Sequence, residues 1–245
     1  MLKRWLIAGL LTGLTFSAFA EPETTAVDAE STAGNVSDPW QGMNRRVFAF
    51  NQAMDRWVMK PVAVGYTKVT PRLFRRGVGN FFTNLSYPLV IVNDFLQLKF
   101  AQGVSDIGRF AMNTTLGIGG LFDPASSANM PLHEEDFGQT FARWGAGSGP
   151  FLMLPFLGPS NVRDGIGSGV SWAAQPMRFV IEDERTRYGL TALNFIDVRA
   201  SLLDVEQLIS GDKYIFMRDA FMQRRAYLIN DGQVTDDFLD DEWDE

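Results

Sequence analysis

Apolar residues recur at intervals of three and four over most of residues 38–230, the spacing that turns one face of a helix toward something other than water. The pattern opens at Asp38-Pro39, a carboxylate and a proline suited to a helix start, and runs through Trp40, Met43, Val47, Phe50, Met54 and Trp57. A second start at Thr70-Pro71 leads into Leu73, Phe74, Val78, Phe81, Phe82 and Leu85, where Gly77 and Gly79 suggest close backbone approach. A separate helix is predicted from Ser86-Tyr87-Pro88 with Leu89, Phe95 and Leu96, and another through Val104, Ile107 and Phe110 to Gly117. Loop residues dominate from Gly117 to Pro131. Asp136 then starts a short helix with Phe137, Phe141 and Trp144, and Ser160 is expected to cap the next, through Val162, Ile166, Val170 and Trp172. Two longer helices follow, one through Leu190, Leu193, Ile196 and Val198, the other from Asp212 to Asn230. No segment alternates convincingly as a strand and no fixed period repeats, so the expectation is an all-α chain of many short amphipathic helices.

Arg143 to Asp164 interrupts this pattern. It is apolar but broken by Pro150, Pro155 and Pro159, too short and too often interrupted to cross a bilayer as a helix, which takes roughly twenty apolar residues. Gly145, Gly147 and Gly149 permit backbone angles closed to other residues. Two readings stand: a glycine hinge carrying a stiff apolar finger, or a buried irregular connection between core helices.

The first twenty residues place a basic start (Lys3, Arg4) before an apolar run (Trp5 to Leu14) and an Ala18-Phe19-Ala20 site, the order of a cleaved secretory signal, with Glu21 expected to begin the mature chain. The sequence contains no cysteine, which excludes disulfides, thiolate metal sites and a thioether-linked lipid. Twenty phenylalanines in a chain that is 46% hydrophobic suffice for a core and also suit a membrane interface.

The formal charge of −7 is unevenly divided. Residues 21–37 hold four acids and no base, and residues 231–245 hold eight acids and no base, both read as solvating, disordered segments. Residues 38–80 are the reverse: Arg45, Arg46, Arg56, Lys60, Lys68, Arg72, Arg75 and Arg76 stand against only Asp38 and Asp55. Basic groups beside apolar helix faces suit anionic lipid head groups, each contributing about 1 kcal/mol near such a surface; a basic solvated helix face is the plainer alternative. Acidic ends on a secreted chain argue against nucleic acid.

Catalytic signatures fail residue by residue. Ser148 and Ser168 lack the flanking glycines of a nucleophile elbow, and neither glycine series completes a dinucleotide fingerprint. With a single histidine and no cysteine, no transition-metal site and no cofactor are expected. His133, in Pro131-Leu-His-Glu-Glu-Asp136, is a candidate general base or pH-sensitive latch, or simply a solvated loop residue. Asp123 and Asp164 are read as caps and charge partners, with adjacent Arg163 and Asp164 expected to pair with other groups.

The residues Asp38-Pro-Trp-Gln-Gly-Met-Asn-Arg45, Phe48-Ala-Phe-Asn51, Lys60-Pro-Val-Ala63, Asn113-Thr-Thr-Leu-Gly117, Gly119-Gly120, Phe137-Gly-Gln-Thr-Phe141, Gly147-Ser-Gly-Pro150 and Leu154-Pro-Phe156 resemble, in order, the motifs of the MlaA (VacJ) family of outer-membrane phospholipid-transport proteins. The resemblance covers residues 38–230. It implies an all-helical ring in the inner leaflet of the outer membrane around a central amphipathic channel. It further implies a non-enzymatic role: removing phospholipids mislocalised in the outer leaflet and passing them to a periplasmic lipid carrier (MlaC-like), in association with a trimeric porin. On this reading Phe50 and Asn51 belong to the ring and channel edge, and Gly145, Gly147 and Gly149 to a gate stiffened by Pro155. Arg45, Arg46, Lys60, Arg72, Arg75 and Arg76 are assigned to head groups or the membrane surface. Family members carry a lipidated cysteine after the signal, which this sequence lacks. The rival functions are a periplasmic phospholipase-like hydrolase using His133 and a purely structural porin-associated protein.

Overall fold

The computed structural model describes residues 38–204 and 211–233. The predicted signal peptide, the acidic linker and the tail beyond residue 233 lie outside the described residues. Helix α1 (Gln41–Met54) passes through a π-helical turn (Asp55–Met59) into α2 (Lys60–Val69). The long α3 (Arg72–Leu96) turns back into α4 (Phe100–Thr115), with Leu98 at φ 64° in the turn. Two short helices, α5 (Pro124–Ser127) and α6 (Phe137–Arg143), precede an antiparallel hairpin of β1 (Phe151–Leu154) and β2 (Gly158–Asn161). Then come α7 (Val162–Ala173), α8 (Met177–Val180), α9 (Glu184–Ser201) and α10 (Lys213–Ile229).

The helical class follows the periodicity, but α1 and α3 start after Trp40 and Pro71 with no side-chain cap, so neither Asp38 nor Thr70 caps as expected; Asp38 instead accepts from Asn44 Nδ2 and Tyr214 OH. Three further details differ. The helices expected on either side of Ser86 form one helix, with Pro88 inside it. Pro88 removes one donor and crowds the carbonyl of Asn84, but burial of this helix outweighs the local cost. Leu89 and Val90 are buried, Val78 and Phe82 pack with Met177, and three polar pairs lock α3 antiparallel to α4. These run Asn84 Nδ2 to Thr114 Oγ1 (2.9 Å), Tyr87 OH to Asp106 Oδ1 (3.3 Å) and, donated from α4, Gln102 Nε2 to Asp94 Oδ1 (2.7 Å). Second, Asn161 rather than Ser160 caps α7, its Oδ1 accepting from Asp164 N at 2.8 Å. Third, the finger is a two-stranded sheet. Its strands span four residues each, one uniformly apolar and one Gly-Pro-Ser-Asn, so neither alternates in sequence.

Two small apolar clusters anchor the structure. Phe151 and Met153 of β1 meet Tyr214 and Phe221 of α10, while Val78, Phe82 and Met177 gather Leu190 and Leu193 of α9. Between them the interior is polar, with Asn44, Asn93, Asp94, Asp106, Arg109 and Thr140 all buried. Asp123 acts as foreseen, accepting from Ser126 N (3.0 Å) at the start of α5 and from Arg109 Nη2 (2.6 Å). Arg225 of α10 reaches the starts of both α6 and α7: Nη1 donates to Asp136 Oδ2 (2.6 Å) and Nη2 to Asp164 Oδ1 (3.0 Å). Arg163 Nε also donates to Asp164 Oδ1 at 3.1 Å, so these neighbours do pair, brought together by their burial beside Arg225. Desolvation works against the Asp136 carboxylate, yet the Arg225 charge and hydrogen bonds hold its pKa below the ordinary carboxylate value.

Removing the guanidinium while keeping the volume, as in Arg225→Met, leaves Asp136 without its cation and Asp164 with the Arg163 cation alone. The variant is expected to lose about 3–5 kcal/mol of stability, read as a lowered midpoint in denaturant unfolding of the detergent-solubilised chain; an unchanged midpoint would contradict it.

Candidate functional site

The site is built where α1 meets the hairpin. Helix α1 divides its apolar residues: Val47 and Phe48 pack on the core, while Met43 and Phe50, with Trp40 before the helix and Trp57 in the π-turn after it, are exposed, Trp57 by 77%. Its buried residue is the polar Asn44. A side-chain amide carries one acceptor and two donors and so can pair with a strand as a peptide group does. Asn44 Oδ1 accepts from Met153 N (2.9 Å) and its Nδ2 donates to Phe151 O (3.1 Å) and Asp38 Oδ1 (2.8 Å). Two turns later Asn51 repeats the grip: Oδ1 accepts from Phe156 N (2.8 Å) and Nδ2 donates to Leu154 O (2.9 Å). The edge of β1 away from β2 is thereby closed by two asparagines instead of a third strand. Phe50 packs edge-on against Phe156, ring centroids 5.2 Å apart at 86°.

Each end of the finger has its own backbone chemistry. Gly145, at φ 91°, closes α6: its N–H donates to Ala142 O and that of Ala146 to Phe141 O, both at 2.9 Å. Gly149, at φ 64°, lies where an added Cβ would stand 3.0 Å from that of Val162. Gly147 is exposed with open space around it, so the conformational demand for glycine falls on Gly145 and Gly149. The segment is tied to the start of α7 by Val162 N to Pro150 O (3.3 Å) and Arg163 N to Ser148 O (3.1 Å). The far end, Pro155-Phe156-Leu157, is exposed, with Phe156 at φ 60°. Phe151 and Met153 root the hairpin in the core while its tip stays outside, which is the finger reading and not the buried connection.

Of the basic residues, Arg45 has structural partners, Asp212 at 2.9 Å and the Tyr214 ring at 4.5 Å. Arg46, Lys60, Arg72 and Arg76 are exposed on helices that also expose Val62, Val69, Leu73 and Phe74; Arg75 is half-buried. His133 is partly covered, its Nδ1 2.9 Å from Asp106 Oδ1 and its N–H donating to Tyr87 OH at 3.3 Å. The Asp106 hydrogen bond, against an opposing burial effect, raises its pKa above the ordinary histidine value. Among the described residues no group of three or more acidic or imidazole side chains is arranged to hold a metal ion, and no helix is long and apolar enough to cross a membrane.

Asn44 was the grip that periodicity passed over. Its signal was its place seven residues before Asn51, which puts both amides on one helix face. Arg225 had no comparable local signal, because its carboxylates lie 61 and 89 positions away.

The fold matches a solved structure described as the structural basis for maintenance of bacterial outer membrane lipid asymmetry. The two align at a TM-score of 0.70 and 35% identity, covering 79% of this chain and all of that one. The profile of the MlaA lipoprotein family matches residues 36–228, and the chain belongs to that family. The intermembrane phospholipid transport system lipoprotein MlaA of Escherichia coli (strain K12) is 36% identical over 237 residues, spanning 90% of this chain and 91% of the relative. Its namesake in Haemophilus influenzae is 25% identical over 250 residues, spanning 96% and 94%.

Asn51→Leu strands the Phe156 N–H and the Leu154 carbonyl, at a cost of about 1–3 kcal/mol for each group that stays dry. Faster hydrogen exchange at the Phe156 amide, with β1–β2 pairing retained, is the expected outcome; unchanged exchange there would remove Asn51 as the clamp.

Proposed function

We propose that this protein is a passive phospholipid conduit at the outer membrane, which takes misplaced phospholipid from the outer leaflet and delivers it to a periplasmic lipid carrier of the MlaC kind. The observation that carries this reading is the distribution of polarity: large apolar side chains and arginines share the exposed faces of α1–α3, while amides, carboxylates and arginines such as Asn44, Asn93, Asp106 and Arg109 are buried inside. Such an exterior suits the boundary between head groups and acyl chains, where apolar area and cation–anion attraction add. Membership of the MlaA lipoprotein family and the names of its relatives, which specify intermembrane phospholipid transport, support the same substrate.

In this proposal the helices form a ring in the inner leaflet around an amphipathic channel, with a trimeric porin as neighbour. A head group moves along polar groups while its tails follow apolar walls, avoiding the cost of taking charge through hydrocarbon. The chain contains no cysteine to acylate, so attachment rests on the apolar and basic exterior of α1–α3 together with the porin. The hairpin gates the channel, with Phe50, Phe156 and the Asn51 grip at its closed position and Gly145 and Gly149 allowing its base to swing. In this reading His133 has a structural part, its Nδ1 held by Asp106; because a carboxylate-held imidazole is also what a hydrolase would use, fatty-acid release from vesicles decides between the two.

Outer-leaflet phospholipid is expected to rise when the protein is lost and to fall again on complementation; equal levels would favour a purely structural porin-associated role. Purified protein is expected to release no fatty acid from phospholipid vesicles, whereas release abolished by His133→Ala would establish the hydrolase instead.

Gly149→Val meets both an unfavourable φ and Val162, while Gly147→Ala meets neither. Complementation should therefore fail with the first and persist with the second, at equal protein levels. Equal complementation by both would count against the hairpin as a gate.

A further inference from the structure

The α3–α4 turn covers a charged cluster that lipid passage does not use. Asp94 and Asp106 are both fully buried. One oxygen of each is satisfied, Asp94 Oδ1 by Gln102 (2.7 Å) and Asp106 Oδ1 by Tyr87 (3.3 Å) and His133 (2.9 Å). The second oxygen of each is buried without a hydrogen-bond partner. The Gln102 bond turns toward Asp94 the face of α4 that carries Asp106 one helical turn further on, so the two carboxyls are neighbours across the hairpin. Two ionised carboxylates so placed repel, whereas one proton between them turns the contact into a short, favourable bond.

The surroundings do not supply enough positive charge to make both ions comfortable. On the turn, Lys99 is shared by Glu135 (2.8 Å) and Asp231. From α4, Arg109 is committed to Asp123 (2.6 Å) and lies beside the Tyr87 ring. From residues 131–136, Glu135 adds negative charge while also accepting from Gln97 (2.9 Å) and Gln102 (2.9 Å), and Glu134 is occupied by Arg224 (2.7 Å). His133 is the remaining group facing the pair.

We propose that Asp94 and Asp106 hold one proton between them, and that its loss loosens His133 and the segment 131–136 that leads into α6. In the protonated state the pair is quenched and His133, as imidazolium, pins that segment to Asp106. When the proton leaves for solvent, two carboxylates face each other in a dry site, and deprotonated His133 no longer carries the charge that held it.

The direction is set by both partners. Burial first, and then the Asp106 contact, push the Asp94 carboxyl up to about 7, so the folded chain keeps a proton that the unfolded chain has released. That costs stability as pH rises from the ordinary carboxylate range to about 7. His133 has a raised folded value, so its contribution is full below the ordinary histidine value and is lost as pH rises through the raised one. Both changes loosen the latch with rising pH.

The test uses the full chain in phospholipid nanodiscs, titrated from roughly pH 5 to pH 9 to span both groups. Infrared spectra should show a protonated-carboxyl stretch at the acid end that disappears near neutrality and is missing in Asp94→Asn. Exchange of the amides in 131–136, corrected for intrinsic rate, should rise by about tenfold or more across the window in the wild type. In Asp94→Asn, whose amide can donate to Asp106 at every pH, the rise should shrink to the part that His133 contributes; an undiminished rise would count against the carboxyl pair. Asp106→Asn, which also removes the carboxyl pair, gives the same infrared readout should the first variant fail to fold. Absence of the protonated stretch in the wild type, its persistence in both variants, or a pH response abolished by a chelator would each overturn the shared proton.

Discussion

Arg225 is the contact on which the layout depends. One guanidinium on the last described helix binds the residue that caps α6 and the first-turn carboxylate of α7. Everything between those helices, the glycine segment and the hairpin, therefore leaves and re-enters the body at one ionic joint. Had the two helix starts been held by apolar contact alone, the finger would have no fixed frame from which to move. A buried cation with two carboxylates is a costly way to join three helices, but it is directional, and each missing partner leaves a charge without compensation.

The same economy governs the rest of the interior. Apolar residues that would form a core in a water-soluble helical protein are spread over the outside of α1, α2 and the start of α3, and the space they vacate is filled by hydrogen-bonded amides, carboxylates and arginines. Polar contacts inside a dry body are strong only when complete. The clamps at Asn44 and Asn51, the Arg109–Asp123 pair and the Gln97–Glu135–Lys99 group show how far that completeness extends among the described residues.

The helices and some of their caps were legible because three-and-four periodicity and capping residues are local signals: Asp123, Asp136 and Asp212 cap as their chemistry suggests, whereas Asp38, Thr70 and Ser160 do not. Pro88 misled because burial over a long helix overrides one local penalty. The face of α1 was assigned to neither side by pattern alone, since an apolar stripe reads the same whether it meets a core or a lipid; the structure splits it, with Val47 beside buried Asn44 on the core and Met43 and Phe50 exposed. Glycine chemistry marked the ends of the finger, but its strands are too short to alternate and the side-chain clamp joins residues more than a hundred positions apart. The carboxyl pair was invisible for a similar reason: its members lie on opposite arms of a helical hairpin whose register the sequence does not display.

The asparagine grip has one further property, a division of labour. Asn44 and Asn51 are separated by two helical turns, about 10.5 Å along the axis. Asn44 bridges Phe151 and Met153 within β1, whereas Asn51 bridges Leu154 at the strand's end and Phe156 in the turn, where φ is 60°. One amide thus fixes the strand and the other fixes the turn that follows it. A slip of one residue, about 3.3 Å, misaligns both amides together and turns the buried side chains of β1 outward. Attachment of the hairpin to α1 is therefore all-or-none: it has a single engaged register and no half-engaged one.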